Sequence, residues 1–176
     1  MSDGQALRLN IGGEEPAPGW KILNLHAAPS VDYVADCSNL EMFADASVDD
    51  LYASHVLEHL PYLDKLPRAL REFHRVLKPG ARARISVPDL DVLCRLFLEA
   101  KAQPNERILI MRMMFGGQLD PNDFHYVGLS LDILAGLLGT AGFSRLERVP
   151  EFGLFNDTSS ARMLGTLVSL NVVAYK

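Results

Sequence analysis

The feature that most constrains this chain is the run from Leu66 to Val87, where a helical period gives way to a strand period across Lys78-Pro79-Gly80. Leu66, Ala69, Leu70, Phe73, Val76 and Leu77 recur at spacings of three and four, which predicts a helix from about Pro67 to Leu77. Pro67 suits a first helical turn. Pro79 and Gly80 end the helix, because proline cannot continue the hydrogen-bond ladder and glycine accepts a positive φ. Ala83, Ile85 and Val87 then alternate with Arg82, Arg84 and Ser86, the pattern of a strand over Ala81 to Val87.

The rest of the chain repeats this alternation. Short strands are predicted at Leu7 to Ile11, Trp20 to Leu25, Val31 to Ala35 and Leu51 to Ser54, each bounded by turn-forming residues. Further helices are predicted after Asp89, over Asn105 to Phe115, and over Ser130 to Ala141 with Ser130 as cap and Gly142 as stop. Two strands close the chain, Arg145 to Val149 and Leu167 to Tyr175, separated by a long loop from Pro150 to Gly165. Strands alternating with helices imply right-handed βαβ units. A strand pair with no helix between implies an antiparallel edge. The expected fold is therefore α/β, a three-layer sandwich around a doubly wound, mostly parallel, Rossmann-like sheet with an antiparallel C-terminal strand. A length of 176 residues suits a single domain spanning 1–176.

Composition narrows the function classes. No apolar run approaches the ~18 residues of a membrane span, and MSDGQALRLN lacks the pattern of a secretory or transit signal, so no membrane association and a cytoplasmic location are expected. Cys37 and Cys94 form no CxxC, which argues against a disulfide framework or a thiolate metal site. With a net charge of −5 and its 17 Lys and Arg mostly scattered, the chain lacks the basic footprint of a nucleic-acid binder, so none is expected as partner.

In open α/β sheets ligands sit beyond the carboxyl ends of the strands. The segments there are Gly12-Gly13-Glu14-Glu15-Pro16, Asn24, Asp36, and Ser54-His55-Val56-Leu57-Glu58-His59. Together with LNIGG, GWKILN, YASHVLEH, RVLKPG, ISVPDLD, FGGQ, DFH, AGF, EFGLFND and SLNVVAYK, this ordered set resembles class I SAM-dependent methyltransferases of the methyltransferase-11 type, in a compact bacterial subgroup. The resemblance implies S-adenosyl-L-methionine as cofactor. It implies Gly12 and Gly13 in the glycine loop, Asn24 where an acidic residue usually holds the ribose, Asp36 facing the adenine, and Ser54 and His55 along the methionine moiety; His59 is read as a further residue of the cofactor wall.

The chain departs from that pattern at its start. Only eight residues separate Ile11 from Trp20, fewer than the dozen or more of a usual parallel crossover, so the first helix is expected to be reduced or missing. Plainer readings stand beside the functional ones: the glycine pair as a turn, Asp36 as a solvated loop carboxylate, His55 and His59 as packing.

His55-Val56-Leu57-Glu58-His59 also spells HxxEH, the inverted zinc-peptidase motif. That motif needs a long helix, whereas Pro61 and Pro67 follow almost at once, so no metal is expected. Asp123-Phe124-His125 lies in a turn-rich loop after Gly116-Gly117-Gln118. His125 is the candidate catalytic base, oriented by Asp123, the alternative being a hydrogen-bonded pair that only fixes the loop. Gln118, Phe155, Asn156 and Asp157 are the candidate substrate residues. The resulting expectation is methyl transfer to an oxygen or nitrogen of a small acceptor molecule. A degenerate cofactor-binding domain acting as partner or sensor is the alternative, and a nucleotide oxidoreductase is disfavoured because no GxGxxG follows the first strand.

Overall fold

The computed structural model describes residues 6–99 and 103–176. Strands β1 (Arg8–Ile11), β2 (Lys21–Asn24), β3 (Tyr33–Val34) and β4 (Val48–Ser54) precede helix α1 (Lys65–Val76). Then come β5 (Leu77–Pro88), α2 (Leu90–Leu98), α3 (Pro104–Phe115), α4 (Leu131–Ala141), β6 (Arg145–Val149), β7 (Arg162–Met163), β8 (Thr166–Leu167) and β9 (Ser169–Tyr175). Seven strands form one sheet in the order β3-β2-β1-β4-β5-β9-β6, and β7 and β8 make a separate hairpin. β1 to β5 pair in parallel, whereas β9 runs antiparallel to both β5 and β6. The expected α/β class, Rossmann-like order and antiparallel C-terminal strand are all present.

Because side chains alternate along each strand, cross-strand partners share a face. One face collects Leu9, Ile11, Leu51, Ala53, Ala83, Ile85, Val87, Leu170, Val172 and Ala174. These pack against Leu66, Ala69, Leu70, Phe73 and Val76 of α1 and against Leu134 and Leu138 of α4, forming the main core. The opposite face carries Asn10, Tyr52, Ser54, Arg84, Ser86, Asn171 and Val173. A smaller core joins α2 and α3 to the hairpin through Leu93, Leu96, Ile110, Met163 and Val168.

Three boundaries differ from the sequence expectation. α1 starts at Lys65, with Pro67 inside its first turn, and ends at Val76. β5 begins at once, with Leu77-Lys78-Pro79-Gly80 as its irregular extended first stretch. Gly80 holds φ +77°, and its amide donates to Lys176 O, so the break is absorbed where β5 starts beside the end of β9 rather than by a separate turn. Ser130 does not cap α4 with its side chain, because its hydroxyl donates to Asp132. Asp89 does cap α2, accepting from Val92 N at 3.2 Å, and also receives Arg148 Nη2 at 2.7 Å.

No helix separates β1 from β2, as the short spacing requires. The face such a helix would cover is closed instead by residues from the long loop after β6. Phe152 and Phe155 stack on Tyr52 of β4 at centroid distances of 5.5 and 4.6 Å, and Trp20 meets Phe155 at 5.3 Å. Hydrogen bonds pin this loop to the sheet: Tyr52 OH donates to Asp157 Oδ2 at 2.7 Å, Asn171 Nδ2 to Ser159 O at 2.9 Å, and Ser169 Oγ to Thr158 O at 2.7 Å. No helix among the described residues is long and apolar enough to cross a membrane.

Candidate functional site

Two clefts open where β1, β2 and β4 end. The first, about 420 Å³, runs from Gly12 past Asn24 and His26 to Asp36 and Cys37, with His55 and His59 on its wall and Asp120, Asn122 and Tyr126 above it. The second, about 550 Å³, lies between the Asn10 to Ala17 turn and Leu154 to Thr158 of the long loop, with Ser54 at its floor. Ile11, Gly12, Glu14 and His55 line both, so these four residues stand at the junction. Both volumes fall within the roughly 300–1,000 Å³ usual for small-molecule sites.

Gly12 shapes that junction. It holds φ +75°, and a Cβ there would lie 2.5 Å from Val56 Cγ2, so a side chain is excluded on both conformational and steric grounds. Its amide donates to Leu23 O at 2.7 Å, which ties the turn to β2. Beside it, Asn24 donates from Nδ2 to Gly13 O at 3.1 Å, and its Oδ1 accepts from His26 N at 3.0 Å. The Asn24 amide thus ties the loops after β1 and β2 together. Asn24 also lines the first cleft, and its Oδ1 keeps a second lone pair beside the bond from His26 N.

Asp36 accepts from Ser38 N and Ser38 Oγ at 2.9 and 2.7 Å and from Lys65 Nζ at 2.7 Å. Burial disfavours its charge, but the Lys65 ammonium and the two Ser38 bonds outweigh that and hold the carboxyl below its ordinary range. An anionic group therefore stands at the end of the first cleft, paired on one side.

Behind the junction, His55 adopts φ +53°, sparsely populated for a residue with a Cβ, and its amide donates to Ser86 O at 2.8 Å. The backbone turn carries the ring from the end of β4 across both clefts, with Nε2 3.0 Å from Ser169 Oγ and Nδ1 3.2 Å from Glu58 Oε1. Leu57 to His59 form a single 3₁₀ turn, not the long helix an HxxEH peptidase motif needs.

Several candidates land elsewhere. Gln118, at φ +56°, is exposed and lines neither cleft, its Nε2 donating to Phe115 O. Asp123 lines the first cleft but does not orient His125: its Oδ2 accepts from Leu119 N at 3.2 Å. The group that holds the His125 ring is Met113 O, 3.0 Å from Nδ1. His125 lines neither cleft, and its ring meets that of His59 edge to face at 4.7 Å. Burial pushes its pKa down; the Glu58 charge works the other way without reversing the shift. Phe155, Asn156 and Asp157 do line the second cleft, but the Asp157 carboxylate is committed to Tyr52 OH and Ser159 N.

Sequence reasoning named no role for Glu14, His26, Glu58, Lys65 or Tyr126. Glu14 follows directly on Gly13 and His26 lies two residues after Asn24, so their place at strand ends was a usable signal. Lys65 was hidden because only the fold brings the start of α1 to Asp36.

Comparison with known proteins agrees with this layout. Residues 18–85 match the model of a methyltransferase domain family. A ubiquinone/menaquinone biosynthesis C-methyltransferase, UbiE of Bradyrhizobium diazoefficiens, is 29% identical over 134 residues, 69% of this chain and 49% of that protein. The chain thus spans about half the length of the curated relative it matches. A SAM-dependent methyltransferase from Archaeoglobus fulgidus shares the fold at a TM-score of 0.61 and 15% identity, over 98% of this chain and 87% of that one. A Burkholderia thailandensis 1,6-didemethyltoxoflavin-N1-methyltransferase, with bound 1,6-didemethyltoxoflavin and S-adenosylhomocysteine, does so at 0.61 and 18%, over 97% and 71%. Over residues 18–85 the chain is thus similar to a methyltransferase domain, and its fold is the one that these SAM-dependent methyltransferases have.

Proposed function

We propose that this chain binds S-adenosylmethionine in the first cleft and transfers its methyl group to an oxygen, nitrogen or carbon of a small acceptor in the second. The observation that carries this reading is the junction: two clefts of ligand size meet at Gly12, Glu14 and His55, where the backbone is bare on one side and polar on the other.

The residues present fit such a cofactor. Gly12 lines the cleft with bare backbone, Val56 filling the space a side chain would take, Asp36 offers an anionic edge at the far end, and Glu14 brings a carboxylate to the junction suited to a cationic centre. Bound there, S-adenosylmethionine supplies an electrophilic methyl group on a cationic sulfur. Positioning supplies most of the rate in such displacements, roughly 7–11 kcal/mol. A strong protein base is then unnecessary, consistent with His125 standing outside both clefts.

The methyl-transferring relatives named above include a C- and an N-methyltransferase, so the acceptor atom is left open among carbon, nitrogen and oxygen. A net charge of −5 with Lys and Arg mostly scattered along the sequence supports a small-molecule acceptor rather than a nucleic-acid partner. Calorimetry with S-adenosylmethionine and S-adenosylhomocysteine tests the reading. The natural chain binds both, and Asp36→Ala weakens binding at least about tenfold, the equivalent of about 1.4 kcal/mol. Binding without transfer to any acceptor in a metabolite screen would leave a cofactor-sensing domain. No binding at all would remove the proposal.

A further inference from the structure

Glu58 is the most conspicuous polar group in the molecule. Its side chain is 1% exposed, and neither carboxylate oxygen has a hydrogen-bond partner among the described residues. A buried carboxyl group short of partners is disfavoured, so the pocket favours a further group beside Glu58. His55 Nδ1 stands 3.2 Å from Oε1 while its Nε2 faces Ser169 Oγ, so that ring reaches one carboxylate oxygen and leaves Oε2 for a second group.

The two remaining neighbours are His59 and His125. One donor atom from each of Glu58, His59 and His125 lies within 4.8 Å of the others. Each ring is held by its Nδ1: that of His59 lies 3.2 Å from Phe124 O, and that of His125 lies 3.0 Å from Met113 O. A carbonyl oxygen can only accept, so both rings carry the proton on Nδ1 and keep a free lone pair on Nε2. This is the arrangement by which second-shell carbonyls orient metal-ligating histidines. Tyr126 N donates to Glu58 O at 2.8 Å, which fastens the loop bearing His125 over the 3₁₀ turn bearing the other two.

We infer that Glu58, His59 and His125 bind one divalent transition-metal ion. Two imidazoles and one carboxylate suit zinc, cobalt or iron in the divalent state rather than magnesium or calcium, and three protein donors leave coordination positions open. His59 lines the first cleft, so the ion stands at its wall and locks the 116–128 loop against the end of β4. This site does not depend on the methyl-transfer reading and is distinct from the zinc-peptidase motif, since the third ligand comes from a remote loop and not from His55.

Cobalt provides the direct test. The full chain, stripped with chelator and desalted, is titrated with Co²⁺ while visible d–d absorption is recorded, then challenged with Zn²⁺. We expect one Co²⁺ per chain, bands that Zn²⁺ abolishes, and a rise in Tm with either ion. Outer-shell partners alone are worth about 10–100-fold in metal affinity, so losing a ligand in His59→Ala or His125→Ala weakens binding by at least about 100-fold. Circular dichroism confirms that each variant is folded. His125→Ala sits on a loop, so it keeps the test intact if Glu58→Gln does not fold. No d–d bands, or unchanged affinity in folded His125→Ala, would overturn the site. So would a loss confined to His26→Ala or His55→Ala.

Discussion

Two neighbouring parallel pairs in the same sheet are built in opposite ways. Between β4 and β5 the chain spends twelve residues on α1, which buries Leu66, Ala69, Leu70, Phe73 and Val76 against the sheet. Between β1 and β2 it makes only a turn, and the face left bare is covered by Phe152, Phe155 and Asp157 from the loop after β6. The first solution is local and apolar. The second is long-range, aromatic and hydrogen-bonded, and it leaves an open cleft beside the glycine turn. A parallel sheet needs both faces covered, but the cover need not come from its own crossover.

The same economy shows between β3 and β4, where no helix intervenes. There Arg75 of α1 reaches across, donating to Phe43 O at 2.9 Å, Leu40 O at 3.0 Å, Asp45 and Glu72, and it staples the irregular segment to the helix.

Perturbing the helical cover has the largest expected effect. Phe73→Ala empties a fully buried site beneath α1 and lowers unfolding free energy by roughly 3–5 kcal/mol, read as a drop in the urea midpoint without a change in slope. The loop cover is weaker. Tyr52→Phe removes the donor to Asp157 Oδ2 and lowers stability by about 1–3 kcal/mol, with faster proteolysis confined to 150–160. If Tyr52→Phe rivalled Phe73→Ala, the loop would be an equal half of the core and the contrast would fail.

Smaller still is the effect of acid on the stapled segment. Arg75 bonds both Glu72 oxygens at 2.7 Å and, with Leu40 N, holds the Glu72 carboxyl below its ordinary range despite burial. A depressed folded pKa contributes stability above the unfolded value, near 4.3, that is lost as pH falls through the folded value. Glu72→Gln therefore flattens the loss of stability below about pH 4, measured by urea unfolding at a series of pH values. An unchanged acid limb would assign that loss to other carboxylates.

How much was legible beforehand differs between the same two regions. The period of α1 and the alternation of β5 are local signals, and both elements stand within a few residues of where the pattern put them. The missing first helix was legible too, because eight residues cannot hold a crossover helix. The site was legible only by position. Gly12, Asp36 and His55 follow strands and so reach the clefts, whereas Gln118 and Asp123 were chosen for residue type and loop context, and the first misses the site while the second bonds its own loop.

By itself, then, the sequence determined the α/β class, the parallel core strands and the strand-end loops, since hydrophobic period, Pro and Gly act over a few residues. The tertiary structure alone decided which side chains meet across the fold: Phe155 on Tyr52, Lys65 on Asp36, and His125 beside Glu58 and His59. Those meetings depend on how the loops fold back over the sheet, and contacts between segments far apart in the chain leave no period to read.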